Sequence, residues 1–136
     1  MIYEVTIQHS VYLENGNEKI KKEQYLIDNC NMFADAEDLM YTQFSNLKNI
    51  DVIAIRRSKI KEIANARETQ DDCIYVAEIS DTFLNDDGSE KKICYQIVVF
   101  SLNFDTAKMF ITEYSKQGYD MELISLKKSN FLDVVD

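Results

Sequence analysis

The chain contains the same residue pattern twice, and this duplication constrains its fold more than any other feature. The string YLENGNEK at Tyr12–Lys19 returns as FLNDDGSEKK at Phe83–Lys92. Gly16 falls on Gly88 at an offset of 72 residues, and the same offset lays Ile2 on Ile74. Farther along the chain the offset is one residue shorter, and the matched positions are Phe33 with Phe104, Ala36 with Ala107 and Ser58 with Ser129. A constant period with a single-residue slip indicates an internal duplication.

The pattern inside the first copy predicts two strands, a helix and a third strand. Apolar and polar residues alternate over Tyr3–Leu13, a period of two that is typical of a half-buried strand. Asn15-Gly16 predicts a turn, and a second strand follows at about Lys19–Asp28. Apolar residues then recur at intervals of three and four over Ala36–Leu47, which indicates a helix. The segment DVIAIRRSKIKEI closes the copy as a third strand.

The second copy predicts the same elements in the same order. Strands at Ile74–Leu84 and Lys92–Ser101 flank a turn at Asp87-Gly88. A helix follows, with Asp105 as its N-cap and Gly118 as its stop. Its expected buried stripe consists of Ala107, Phe110, Ile111 and Tyr114. The segment MELISLKKSNFLDVV is the last strand.

The fold class that follows is α+β, an internally duplicated ββαβ unit whose mainly antiparallel sheet carries two helices. We expect a single domain over residues 1–136, made of a first unit at 1–63, a polar linker at 64–72 and a second unit at 73–136. A copy of about 65 residues buries only a marginal core by itself. The two copies are therefore predicted to pack with pseudo-twofold symmetry.

The two copies differ in their second strands. ICYQIVVF is apolar on both faces, whereas KIKKEQYLI is basic in its first half. This difference predicts a covered, central strand in the second copy and an exposed strand in the first. The first copy is therefore the candidate for partner contact.

Composition and charge indicate where the protein acts and which classes of partner it can bind. The net charge is −9 and the isoelectric point is near 4.6, which disfavours unassisted attraction to nucleic acid or to an anionic membrane. No apolar run approaches the roughly 20 residues that span a bilayer, and the chain does not open on a signal-peptide pattern. We expect a cytoplasmic protein without membrane contact, and we expect its three cysteines to be reduced core thiols.

Searches for metal, cofactor and catalytic motifs give no positive signal. A calcium loop with Gly88 in its sixth position would place Phe83 and Cys94 where oxygen ligands are required. One histidine and three glycines offer neither a histidine-rich metal site nor a phosphate-cradling loop. The prediction is a protein that is not an enzyme and carries no metal or cofactor, although a dispersed site of carboxylates or of Ser, His and Asp stays open.

His9 falls on the apolar face of the first strand, and the duplication aligns it with Asp81. If the first strands of the two copies lie near the pseudo-twofold axis, these side chains form a buried polar pair. The alternative is a partly exposed or hydrogen-bonded histidine without a function of its own.

Basic residues concentrate in the third strands. The candidate binding surface consists of Arg56, Arg57, Lys59 and Lys61, of Lys127 and Lys128 at the matching place, and of Lys19, Lys21, Lys22 and Tyr25 in the first copy. Phosphate neutralisation combined with base stacking on a tyrosine is what binding of a single strand requires. The alternative is a set of lysines and arginines that protect strand edges from aggregation.

Several segments of the chain resemble a known family. YEVTI, ENGNEK, YLIDN and SNFLDVV, together with FADAED at Phe33–Asp38 and IRRSKIKEI at Ile55–Ile63, are similar to segments of short uncharacterised proteins encoded by gut Bacteroidota and by their phages and mobile elements. The likeness covers nearly the whole chain. It implies a phage or mobile-element setting inside a bacterial host cell, and it brings no catalytic residues.

Two functions remain in competition. The first is a small, acidic, non-catalytic binding protein that acts through protein–protein interaction with a host or phage protein. The alternative is a single-stranded nucleic-acid-binding protein that uses the basic third strands. Exposed third strands could also pair between two molecules, which would give a homodimer.

Overall fold

The computed structural model describes residues 1–118 and 120–136, and over these residues the chain forms eight strands and two helices. The elements are, in chain order, β1 (Tyr3–Tyr12), β2 (Glu18–Ile27), α1 (Phe33–Gln43), β3 (Lys48–Arg57), β4 (Ile60–Ile63), β5 (Cys73–Leu84), β6 (Glu90–Ser101), α2 (Phe104–Ser115), β7 (Met121–Lys128) and β8 (Phe131–Val135). They form two compact units. The first unit comprises Met1–Ser58 with Phe131–Asp136, and the second comprises Lys59–Asn130. The predicted α+β class is confirmed.

The first unit is a four-stranded sheet with one helix. Its strand order is β3-β1-β2-β8, in which β1 runs antiparallel to β2 and β3, and β8 runs parallel to β2. The alternation of β1 places Tyr3 and Val5 on the face that packs against Ala36 and Met40 of α1. Val135 of β8 completes this core.

The second unit repeats this arrangement. Its strand order is β4-β6-β5-β7, in which β5 runs antiparallel to β6 and β7, and β4 runs parallel to β6. Tyr75 and Ala77 of β5 pack with Ala107 and Ile111 of α2. The duplication aligns these core residues with those of the first unit.

Local details are repeated as well. Gly16 and Gly88 occupy the two hairpin turns with φ angles of 84° and 85°, a conformation that favours glycine because it has no Cβ. The Ser58 N–H donates to the Ile2 carbonyl over 2.9 Å, and the Ser129 N–H donates to the Ile74 carbonyl over 2.9 Å. The repeated ββαβ-like arrangement is therefore present in the structure.

The third strand of each copy is divided between the two sheets. The continuous pattern DVIAIRRSKIKEI predicted one strand, but the structure breaks it at Ser58 and Lys59 into β3 of the first unit and β4 of the second. Arg57 is the partner of Tyr3, the first residue of β1, so the first sheet offers little pairing beyond it. The chain instead finds a partner in Gln96–Val98 of β6. In the same way, β7 belongs to the second unit and β8 to the first.

The predicted difference between the second strands is wrong. Residues of both β2 and β6 are exposed in the first half of the strand and buried at its end. Both strands also lie between two neighbours, β2 between β1 and β8, and β6 between β4 and β5. Burial follows pairing here more than composition, because the buried part of each strand includes the residues that pair with β8 or β4, within Gln24–Ile27 of β2 and Gln96–Val98 of β6.

Three smaller predictions also need correction. The N-cap of α2 is Asn103, whose side chain accepts a hydrogen bond from the Thr106 N–H, and Asp105 lies in the first turn. Phe110, expected in the buried stripe, is exposed. Cys94 is an exposed thiol and not a core residue. The packing of the two copies around a pseudo-twofold axis stays a prediction.

Candidate binding surfaces

The predicted basic surface is distributed over both units. The first unit holds Arg56, Arg57, Lys19, Lys21, Lys22 and Tyr25, and the second holds Lys59, Lys61, Lys127 and Lys128. All of the lysines and arginines in this set are exposed. Most of them lie on β3, β4 and β7, which are the edge strands of their sheets.

Within the first unit the basic residues form two groups and not one patch. Arg56 is the Cα partner of Glu4, whereas Lys22 is the partner of Gln8. These positions are four residues apart along β1, or roughly 13 Å. Lys19 lies farther out, opposite Val11.

Tyr25 cannot serve as the predicted stacking platform. It is 7% exposed, its ring centroid lies 4.7 Å from that of Phe44, and its hydroxyl donates to a Glu23 carboxylate oxygen over 3.3 Å. Burial, together with the charges of Glu23 and Asp133, raises the pKa of Tyr25 to about 12. Tyr25 is a core residue with a satisfied hydroxyl.

The edge strands β3 and β7 each carry a β-bulge. The register shifts between Thr6 and Ile7 leave Ile53 without a pairing partner, and a matching shift along β5 leaves Ile124 unpaired. A bulge twists an edge and interrupts its ladder, which hinders the addition of another strand. Bulges and charged side chains on the same edges agree with the edge-protection alternative. The predicted homodimer through third strands stays a prediction.

A polar side-chain pair occupies the same place in each unit, buried in the first and half-buried in the second. The His9 Nε2 atom forms a hydrogen bond with the Glu23 carboxylate, and both side chains are mostly buried. In the second unit, Asp81 accepts a hydrogen bond from Tyr95, and burial followed by the charge of Asp81 raises the pKa of Tyr95. Each of these side chains therefore has a partner on the adjacent strand of its own sheet, and His9 fits the alternative of a hydrogen-bonded histidine.

A polar cavity lies on the first sheet, on the face opposite α1. Its volume is about 280 Å³, and it is lined by Glu4, Val5, Thr6, Gln24, Ala54, Arg56 and Phe131. The Glu4 side chain is 18% exposed and the Arg56 side chain 78%. The Arg56 Nη2 and Nε atoms donate to Glu4 Oε1 over 2.8 and 3.3 Å. We call this the Glu4 cavity; no sequence motif marks it.

Large apolar side chains are exposed where each helix begins. Phe33 is 50% exposed and Phe104 is 46% exposed, and their rings lie against those of Tyr3 and Tyr75. We call these the helix-start surfaces: Met32 with Phe33 in the first unit, and Leu102 with Phe104 in the second, all of them exposed. The match of Phe33 with Phe104 was visible in the duplication, but their exposure was not.

Over residues 1–118 and 120–136, no group of three or more His, Cys, Asp or Glu side chains is arranged to hold a metal ion. Among the helices of this described part, none has the length and apolar character that crossing a membrane requires.

Comparison with known proteins identifies a family. The family model described as Domain of unknown function (DUF4494) matches residues 1–136, so the chain belongs to this family. The expected resemblance to an uncharacterised family is confirmed at that level. No curated protein matches the chain, and no solved structure matches it.

Proposed function

We propose that this member of the DUF4494 family is a small, acidic, non-catalytic binding protein that acts by contacting a partner protein. The observation that carries the proposal is the pair of helix-start surfaces. Phe33 is 50% exposed and Phe104 is 46% exposed at matching places, each within two residues of another exposed apolar residue in the sequence. Contiguous exposed apolar side chains are typical of protein interaction sites.

The charge of the chain and its resemblance indicate the kind of partner. A net charge of −9 favours a basic protein, because complementary charge accelerates association and stabilises the complex. The resemblance of FADAED and IRRSKIKEI to proteins of Bacteroidota phages and mobile elements supports a host or phage protein in the bacterial cytoplasm as that partner.

Affinity purification with matched variants tests this proposal. The tagged protein should retain a partner from host cells, and Phe33→Ser combined with Phe104→Ser should reduce its recovery by about tenfold or more, since each ring contributes buried apolar area. Met109→Ser is the control, because Met109 is exposed on α2 outside both helix-start surfaces. Equal recovery by wild type, double variant and control would contradict the proposal.

A second candidate is the binding of single-stranded nucleic acid. One observation favours it: Arg57 is the Cα partner of Tyr3, and the Tyr3 ring supports the exposed ring of Phe33 over 5.1 Å. Lys128 and Phe104 repeat this relation in the second unit. An exposed ring beside a basic side chain is suited to base stacking with phosphate contact.

Fluorescence anisotropy with labelled single-stranded and duplex oligonucleotides separates the two candidates. If the second is correct, Arg57→Ser should weaken single-strand binding and lower its salt dependence by about one phosphate contact. Lys116→Ser serves as the control, since Lys116 pairs with Glu113 on α2. An unchanged salt slope for Arg57→Ser would exclude this surface.

A further inference from the structure

Glu4 holds its carboxylate beside the Glu4 cavity with one oxygen in use. The Nε and Nη2 atoms of Arg56 both donate to Oε1. Among the residues that the structure describes, none donates a hydrogen bond to Oε2. A carboxylate that is largely withdrawn from water is stable only when its remaining lone pairs are satisfied. Oε2 is therefore an acceptor available to a donor that enters the cavity.

The cavity walls extend this acceptor set. Thr6 and Gln24, whose side chains carry oxygens, also line the cavity, together with the apolar residues Ala54 and Phe131. An ammonium group has three donors and no acceptor, and an alkyl stem packs well along apolar surface. About 280 Å³ is just below the usual range for small-molecule sites, which suits one side chain better than a cofactor.

We infer that the Glu4 cavity binds a primary ammonium group, the lysine side chain of the partner protein. This inference rests on the proposed protein-binding function and names one contact within it. The lysine ammonium donates to Glu4 Oε2, and its stem lies along Phe131.

The comparison of the two copies supports a role in binding. The duplication aligns Glu4 with Val76 and Thr6 with Glu78, so the second unit folds with an apolar side chain at the place of Glu4. A mostly buried carboxylate costs stability relative to a packed valine. The charge of Glu4 is therefore not required by the fold, which favours a functional reason for it.

Arg56 limits the alternatives. Its side chain is 78% exposed, and an ion pair with so exposed a partner contributes little stability, so Arg56 can turn away when a second cation arrives. An anion in the cavity would instead face the carboxylate of Glu4. Once Arg56 has turned away, Glu4 is the charged residue left among those that line the cavity, and its carboxylate favours a cation over an anion.

Nuclear magnetic resonance titration of the full-length protein tests the inference without the partner. The probe is Nα-acetyl-lysine methylamide, and the matched neutral probe is the norleucine derivative. We expect saturable shifts at the amides of Glu4, Thr6 and Gln24 with the lysine probe alone. Glu4→Gln should weaken binding by at least about tenfold, whereas Glu78→Gln in the second unit should leave it unchanged.

Two further variants keep the test decisive. Arg56→Gln should tighten binding of the lysine probe, because it removes the competing cation; weaker binding would show that Arg56 supports the site and does not compete, and would overturn the inference. Gln24→Leu, at an exposed position, should weaken binding by about threefold even if Glu4→Gln folds poorly. Shifts spread over the whole acidic surface, or equal affinity in Glu4→Gln, would also overturn it.

The two proposals fail separately. Absence of lysine-probe binding overturns the cavity inference and leaves the affinity purification unaffected. Loss of the effect of Phe33 and Phe104 on partner recovery, with lysine-probe binding intact, overturns the helix-start proposal instead.

Discussion

Replacing Val135 by alanine tests the division of the third strands between the sheets. Val135 is 7% exposed and packs with Tyr3 and Tyr25 in the core of the first unit. The substitution removes two buried carbon groups, each worth about 0.8 kcal/mol, and leaves a cavity. We expect the free energy of unfolding of the first unit to fall by about 2 kcal/mol, although Val135 follows the whole second unit in the sequence.

Native-state hydrogen exchange combined with urea unfolding measures this effect unit by unit. Amides at the end of β2, Gln24–Ile27, should lose about 2 kcal/mol of protection in Val135→Ala, because β8 pairs with this segment. Amides of β6 at Gln96–Val98 should keep their protection. The control is Val134→Ala, which changes a half-buried valine beside Val135 and should cost less than about 1 kcal/mol.

Two outcomes would refute the reasoning. The first is a loss below about 0.5 kcal/mol, the range of ordinary surface substitutions. The second is a loss of protection in β6 with β2 unaffected, which would mean that β8 belongs to the second sheet and not to the first. Ala64, which the duplication aligns with Val135, packs against the second core, so alanine is compatible with the backbone at this position.

Four other substitutions test local features. Burial raises the pKa of Tyr25 to about 12, above the unfolded value near 10. The contribution of Tyr25 to the free energy of unfolding is therefore complete below about pH 10 and is lost as the pH rises through about 12. Tyr25→Phe should reduce the loss of stability between pH 9 and pH 12 by about 1 to 2 kcal/mol, measured by urea unfolding. Met32→Asn gives α1 the cap that Asn103 gives α2 and should raise stability by about 1 kcal/mol in thermal unfolding. Gly16→Ala and Gly88→Ala should each cost about 1 kcal/mol in urea unfolding, because both φ angles are positive.

Elements determined by local pattern were predictable from the sequence. The alternation over Tyr3–Leu13 matches β1, and the glycine turns match both hairpins. The assignment of strands to sheets was not predictable, because IRRSKIKEI has no local break and the end of β3 depends on where β1 begins. Register and sheet membership depend on partners that are distant in sequence.

The candidate sites were less predictable than the fold. Tyr25 follows three lysines, which suggested an exposed strand, yet it is the Cα partner of Val5 at the buried end of β1. Glu4 occupies an ordinary polar position in the alternation, and only its alignment with Val76 distinguishes it. The exposure of Phe33 depends on how α1 starts, which hydrophobic periodicity does not determine.

The division of the third strands has a consequence for the order of events during synthesis. The second unit is one continuous segment, Lys59–Asn130, and it interrupts the first unit, which needs Phe131–Asp136 as well as Met1–Ser58. Domains usually become complete in the order in which they are translated. Here the strands of the second unit are all translated before β8. The end of β2, which is translated much earlier, has no β8 to pair with during that time. A chaperone or a binding partner that covers the end of β2 would protect the nascent chain from aggregation while this strand edge is unpaired.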